Sequence, residues 1–310
     1  MSTVLHHFGL AAPYFVLVLV GYLLAWSGRW PKSVSDALAT FVFALAVPAF
    51  LFRLMSDPSR LPPFDGRLLI AFFGGCFITF TIGRLASRWI FGLNGVQQTV
   101  FGLGGVFSNN VLLGIPLAKA TLGEAGVGPV AMVLVFNSLT LWTLATVSVE
   151  WARHGELSAN GFLRTAKNVL TTPVVAGILS GAALGQSGLT LPYMFDEPLR
   201  LIGQSAAPLA LVVVGMGLRE YGVRSGWQIG AGITVLKVVV QPLVIWTMAW
   251  ALGLPKLETQ AIVLLGSLAV GVNVYLMSRQ FDALQGPVAS SMVMSTTLSA
   301  IVTPLAVALA

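Results

Sequence analysis

The stretch SNNVLLGIPLAKA, residues 108–120, sits inside an apolar run of helix-forming length. It nevertheless carries Ser108, Asn109, Asn110, Gly114 and Pro116. Three consecutive polar residues sweep about 200° around a helix axis at about 100° each. They cannot all hide in one apolar seam, and an amide buried without a partner is costly. Pro116 removes a backbone donor and crowds the turn before it. A helix that breaks here and opens a wet cavity accommodates all of these residues. The simpler alternative is a helix that only kinks at Gly114 and Pro116.

The surrounding chain is that of a polytopic membrane protein. Of its 310 residues 56% are hydrophobic and 9% charged, against roughly 25% charged in a soluble domain. No polar stretch is long enough to form a soluble domain. The net charge of +6 is scattered through short loops with no basic face, so nucleic acid is not an expected partner. Cys76 is alone, which leaves neither an internal disulfide nor a cysteine metal motif. His6, His7 and His154 are terminal or in a loop, and no metal or other cofactor is expected. The N-terminus has no Lys or Arg before its apolar run and reads as a retained membrane helix. The Gly102–Gly105 stretch (GLGG) follows no strand and reads as a close helix-packing surface.

A spanning helix needs about 20 mostly apolar residues. Ten runs qualify, at roughly 8–26, 36–55, 68–88, 97–119, 127–149, 169–186, 201–219, 227–252, 259–279 and 287–309. Trp26, Trp30, Trp89, Trp151, Trp227 and Trp250 mark their ends as an interfacial belt. The loops after odd-numbered segments hold Arg29, Lys32, Arg84, Arg88, Arg153, Arg164, Lys167, Arg219, Arg224 and Arg279. The opposite side holds Arg53, Arg60, Arg67, Lys119, Arg200 and Lys256. Ten against six places both termini outside the cytoplasm of a bacterial inner membrane.

The chain also resembles itself at a constant offset of 160. The run from Pro13 matches the run from Pro173 through Leu19/Leu179, Gly21/Gly181, Leu24/Leu184, Ser27/Ser187 and Gly28/Gly188. Asp36/Asp196, Pro48/Pro208 and Met132/Met292 follow at the same offset. Segments 1–5 (within 1–155) are then the counterpart of segments 6–10 (within 169–310), joined by a cytoplasmic linker at 156–168. Five is odd, so the second copy starts from the other side of the membrane. Inverted repeats of this kind are common in secondary transporters, with the substrate site where the copies meet. The counterpart of segment 4 is segment 9, interrupted by Gly266, Ser267, Gly271 and Asn273 but without a proline. Pro48 and Pro208 read as symmetric kinks, either bending alone or lining a cavity.

The motif NNVLLGIPL, Asn109–Leu117, resembles the N-x-x-x-x-G-x-P-L signature of the auxin efflux carrier family, which holds plant PIN-formed exporters and bacterial malonate-type transporters. VGVNVYLMSRQF, Val270–Phe281, is similar to its segment-9 motif, and AVPAFLFRL, Ala46–Leu54, to its segment-2 motif. The resemblance covers essentially the whole chain. It implies an all-α fold of ten transmembrane helices in two inverted five-helix repeats, like bile-acid transporters and sodium/proton antiporters. Segments 4 and 9 would cross as broken helices. Asn110, Gly114 and Pro116 fall on the segment-4 motif and Asn273 on the segment-9 motif. Gly271 stands near the position where plant members carry a proline.

Half-helix N-termini offer free N–H donors and partial positive charge, which suit a carboxylate. Ser108, Asn109, Asn110, Asn137, Gly271, Asn273 and Tyr275 are the candidate substrate contacts, with Gly114, Pro116 and Gly271 as the helix-break residues. Lys237, Gln241 and Ser205 are the candidates for polar support or coupling. Lys237 is expensive in a bilayer. It either pairs with a carbonyl at a broken helix or meets the anion or a coupling proton. Arg53 near the end of segment 2 either snorkels or attracts an anion. With no clear carboxylate inside the ten segments, a relay of the antiporter kind has no obvious residue. The expected function is secondary transport of a small carboxylate, with proton or sodium as coupling ion, the lipid bilayer as surroundings and a homodimer compatible with it. A channel-like uniporter and, more weakly, a membrane enzyme are the alternatives.

Overall fold

The computed structural model describes residues 2–57, 65–154, 173–221 and 226–310. The expected 156–168 linker lies outside the described residues. Within them the chain is helical: α1 (Ser2–Trp26), α2 (Lys32–Phe41), α3 (Val47–Met55), α4 (Gly66–Phe91), α5 (Gly95–Val106), α6 (Ile115–His154) and α7 (Pro173–Gln186). There follow α8 (Tyr193–Tyr221), α9 (Trp227–Val235), α10 (Gln241–Ala251), α11 (Lys256–Ser267), α12 (Val272–Gln280) and α13 (Gln285–Leu309). Among the described residues, seven helical stretches are long and apolar enough to cross a membrane. Segment 5 is joined to the second half of segment 4 in α6, where Gly123 alone (φ 72°, ψ −170°) turns the chain. That region of backbone is essentially open only to glycine. Segment 7 begins at Tyr193 rather than near 201, which brings Asp196, Glu197 and Arg200 into the helix instead of a loop.

Three joints between helices are five-residue π turns: Val42–Ala46 between α2 and α3, Asn110–Gly114 before α6, and Leu236–Val240 between α9 and α10. Each ends two residues before a proline, Pro48, Pro116 or Pro242. The residue preceding each proline donates its N–H five residues back, to Val42, Asn110 or Leu236 O. A proline ring clashes with the carbonyl four residues before it and offers no N–H. The wider turn relieves that crowding. Pro208, the expected counterpart of Pro48, differs in its setting: it lies inside the α-helix α8 with no π turn before it.

The helices pack as two groups. α1, α3, α7 and α8 form one, with the backbones close where Gly21 meets Val212 O and Gly181 meets Phe52 O. Small residues at such contacts let membrane helices approach. α4, α5, α6, α9, α10, α11 and α13 form the other. Its centre is α5 and α11, in which Thr99–Val106 and Ala261–Ser267 are buried without interruption. The outer helices face lipid, with Val16, Leu19, Leu23 and Trp26 exposed on α1 and Ile82, Leu85 and Trp89 on α4.

Both interrupted segments part in the middle of the protein and pair with each other. α5 ends at Val106, and Phe107 is extended. α11 ends at Ser267, and Leu268 and Gly271 are extended. Ser108 and Val270 form an antiparallel bridge. Asn109 N donates to Ala269 O at 2.9 Å, and Gly271 N to Phe107 O at 2.8 Å. The second break needs no proline, because Gly271 lets the two backbones close. A Cβ there would stand 2.8 Å from Ser108 O. Gly271→Val is therefore expected to destabilise the fold by about 1–3 kcal/mol, as overpacking does. Gly9→Ala, at a glycine with nothing within 4 Å, is the control. Melting in detergent checks both, and only the first should drop.

Candidate functional site

Breaking two helices inside a membrane strands their backbone polar groups, and each must find a partner within the protein. The mutual pairing above satisfies four of them. Segment 8 supplies the next two. Gln241 Nε2 donates to Val106 O at 3.0 Å, the last residue of α5. Lys237 Nζ donates to Gly266 O at 2.6 Å, one residue before the end of α11, and to Gln241 Oε1 at 2.5 Å. Both side chains are fully buried. They stand four residues apart, hence on one face, and tie the two broken helices to one strut. Cys76 touches this group weakly, with Gln241 Nε2 3.5 Å from its Sγ.

Helix α13 supplies the last two partners, which the sequence reading did not single out. Ser295 Oγ accepts from Val270 N at 3.0 Å, and Thr303 Oγ1 donates to Ser267 O at 3.0 Å. The signal was present: Ser291, Ser295, Ser299 and Thr303 recur every fourth residue and all are buried.

The remaining polar side chains at the first break are not spent on the fold. Ser108, Asn109 and Asn110 are 3%, 8% and 3% exposed. Among the described residues, Ser108 Oγ and both amide atoms of Asn110 have no hydrogen-bond partner, nor does Asn137 Oδ1 on α6. An unmade hydrogen bond at a buried polar atom costs about 1–3 kcal/mol. The other expected site residues are placed as follows. Gly114 backs onto Leu265 and Leu268. Asn273 is half-buried and lines neither main cavity. Ser205 bonds Ile202 O within its own helix and does not join Lys237 and Gln241.

Two cavities lie along the seam between the helix groups. One, of about 330 Å³, is lined by Phe50 and Arg53 of α3, by Val111, Pro116 and Lys119, and by Arg200 and Gln204 of α8. The other, of about 430 Å³, is lined by Lys32 and Asp36 of α2, by Asn109 and Leu112, by Val214 of α8, and by Tyr275 and Arg279 of α12. They occupy opposite ends of the α2–α3 segment and of α8. Both reach the π turn Asn110–Gly114, through Val111 on one side and Leu112 on the other.

Arg53 has a carboxylate partner that its place in the sequence did not suggest. It makes a two-pronged ion pair with Asp196, Nε to Oδ1 at 2.5 Å and Nη2 to Oδ2 at 2.8 Å. Its partner entered the helix only because α8 starts early. Lys119 pairs with Glu124 at 2.7 Å across the Gly123 turn, and its ammonium lies 5.6 Å from the Phe50 ring centre. Arg200 pairs with Glu197 one turn away.

A helical membrane protein whose broken helices meet between two cavities is, as a class, a membrane transporter. The chain belongs to the membrane transport protein family, whose model matches residues 6–170 and 163–307. This is the family of the auxin efflux carriers and malonate-type transporters that the three sequence motifs resemble. A Rhizobium meliloti protein described as "Putative malonate transporter" is 27% identical over 295 residues, covering 94% of this chain and 92% of the relative. An uncharacterized transporter of Methanocaldococcus jannaschii is 23% identical across 93% of each chain. Another, of Methanothermobacter thermautotrophicus, is 24% identical across 94% of each.

The strut has a direct test. Gln241→Leu leaves Val106 O unpaired and takes one of two partners from the buried Lys237 ammonium. It should cost about 2–4 kcal/mol, read as a lowered melting temperature of the purified protein in detergent.

Proposed function

We propose that the chain is a secondary carrier that moves a small organic anion, a carboxylate of the malonate or auxin type, by alternating access along the seam. The observation that carries this reading is the pair of asparagines at the first break. Asn109 and Asn110 have no side-chain partner among the described residues; Asn109 lines the larger cavity, and Asn110, buried beside it, opens the turn whose Val111 and Leu112 each line one cavity. Amide N–H groups and the first N–H groups of the turn at Asn110 are neutral donors, able to hold a carboxylate and to release it. Between the cavities the seam is closed by buried residues, Ala46 at 0% and Ala210 at 1% exposure. A rocking of one helix group against the other would open one end as it shuts the other. That favours a carrier over a continuous pore.

The same reading takes the ten segments as two inverted five-helix repeats, with both termini outside the cytoplasm. It is supported by the offset-160 matches, the mating of segments 4 and 9, and the Lys and Arg asymmetry. A proton or sodium ion is the candidate coupling ion.

Purified protein in proteoliposomes should take up labelled malonate or indole-3-acetate saturably and show counterflow. Asn109→Ala and Asn110→Ala should each lower uptake at least about tenfold, as loss of a charge-assisted hydrogen bond does. Their melting temperatures should not fall, because these amides satisfy nothing in the fold. Asn273→Ala should have the smaller effect. Uptake that stays linear with concentration and lacks counterflow would mark a channel instead.

A further inference from the structure

We propose that Arg279 is a specificity-determining residue of the larger cavity, receiving a second negative group of the transported anion. The proposal rests on reading the seam as the path of an organic anion.

The geometry comes from α12. Val272, Tyr275, Leu276 and Arg279 all line the larger cavity. Their spacing of three, four and seven residues puts them on one helix face. The cavity therefore runs along α12 from the break to the helix's last turn. The rise between residues 272 and 279 is about 10 Å, and helical side chains lean back toward the N-terminus. The guanidinium thus reaches part of the way back toward the break. Asn109, nine-tenths buried and without a side-chain partner among the described residues, stands at the break end. Phe43, Leu112, Val214 and Met292 form apolar wall between the two ends.

Charge singles out Arg279. Every other cation lining the two cavities has a carboxylate of the protein beside it. Arg53 has Asp196, Lys119 has Glu124, Arg200 has Glu197, and Lys32 has Asp36 at 3.3 Å. Among the described residues the Arg279 side chain has no such partner. The smaller cavity is thus internally neutralised, whereas the larger one keeps one uncompensated positive charge. An anion held by one carboxylate at Asn109 leaves that charge unmet. An anion with a second carboxylate a few ångströms further on meets both, and the planar guanidinium can grip it with two parallel hydrogen bonds.

Arg279 also sits in the last turn of its helix, where a cation stabilises the helix end. That role cannot distinguish one anion from another, so a matched pair of substrates separates the two. Malonate and its monomethyl ester share a carbon skeleton and differ by one charge. In proteoliposomes of the full chain, wild type should half-saturate with malonate at a concentration about tenfold below that for the ester. Arg279→Gln should raise the malonate value about tenfold, leave the ester unchanged and so erase the preference. Arg279→Lys, which keeps the charge and the helix-end contribution but loses the fork, should restore part of it and serves if the glutamine variant is poorly folded. Arg219→Gln, at an exposed cation outside both cavities, should leave the ratio alone. Equal weakening of both substrates by Arg279→Gln, no change in either, or a wild-type preference for the ester each overturns the role of Arg279 alone. Wild type that transports neither substrate nor any other organic anion overturns the carrier reading, and this proposal with it.

Discussion

In a bilayer no water waits to take a hydrogen bond from a stranded backbone group, and the centre of this protein is organised by that fact. Two helices stop midway, and their ends are made good almost entirely by each other and by two further segments. The N–H groups of Asn109 and Gly271 go to carbonyls of the opposite break. Val106 O and Gly266 O are met by Gln241 and Lys237, and Ser267 O and Val270 N by Thr303 and Ser295. No single break is tolerable alone; the pair, with segments 8 and 10 behind it, is. This explains why an ammonium and an amide lie fully buried among apolar helices: they complete a backbone ledger rather than decorate a surface.

The asparagines at the first break make sense against that background. Once the backbone is satisfied, the side chains of Ser108, Asn109 and Asn110 have nothing left to do for the fold, and Asn110 goes unpaired at both amide atoms. Eight neighbouring backbone groups are met while the adjacent Asn110 amide has no partner among the described residues, which is what sets it apart as a candidate ligand contact. The π turn that follows has the same logic. It is demanded by Pro116, as the other two are by Pro48 and Pro242, and it places the start of a helix where two cavities converge.

The two cavities differ in kind as well as in position. The smaller is flanked by cations that are all matched by carboxylates, one of them linking α3 to α8 within the first helix group. These pairs, part-buried at Arg53 and Arg200 and exposed at Lys119, cancel local charge. The larger follows α12 away from the break, with an apolar wall and a cation at its far end. The proposed organic anion, with an apolar body and charged ends, would match that division.

Much of this was legible in the sequence. Hydropathy is a property of each segment by itself, so the membrane class and the approximate runs could be read directly. Ser108, Asn109 and Asn110 beside Gly114 and Pro116 pointed to the first interruption but left a break and a kink both open. Pro116 acts within one turn and accounts for the π turn, while the break itself falls earlier, at Phe107. The second break was legible only as a weak interruption around Gly271, since what opens it there is the backbone of Phe107 and Ser108, more than 160 residues away. The role of Lys237 was left between two readings, and its geometry emerged only with Gly266 beside it. The partner of Arg53 was missed because Asp196 had been placed in a loop. Ser295 and Thr303 were overlooked because a hydroxyl every fourth residue says which face is polar, not what that face meets. The sequence by itself determined the medium in which this chain lives and which stretch of segment 4 is interrupted, because solvation and proline sterics are local. Which groups repair the breaks, and which polar side chains remain free for a ligand, was decided by the tertiary structure, because hydrogen bonds between segments depend on contacts that only packing creates.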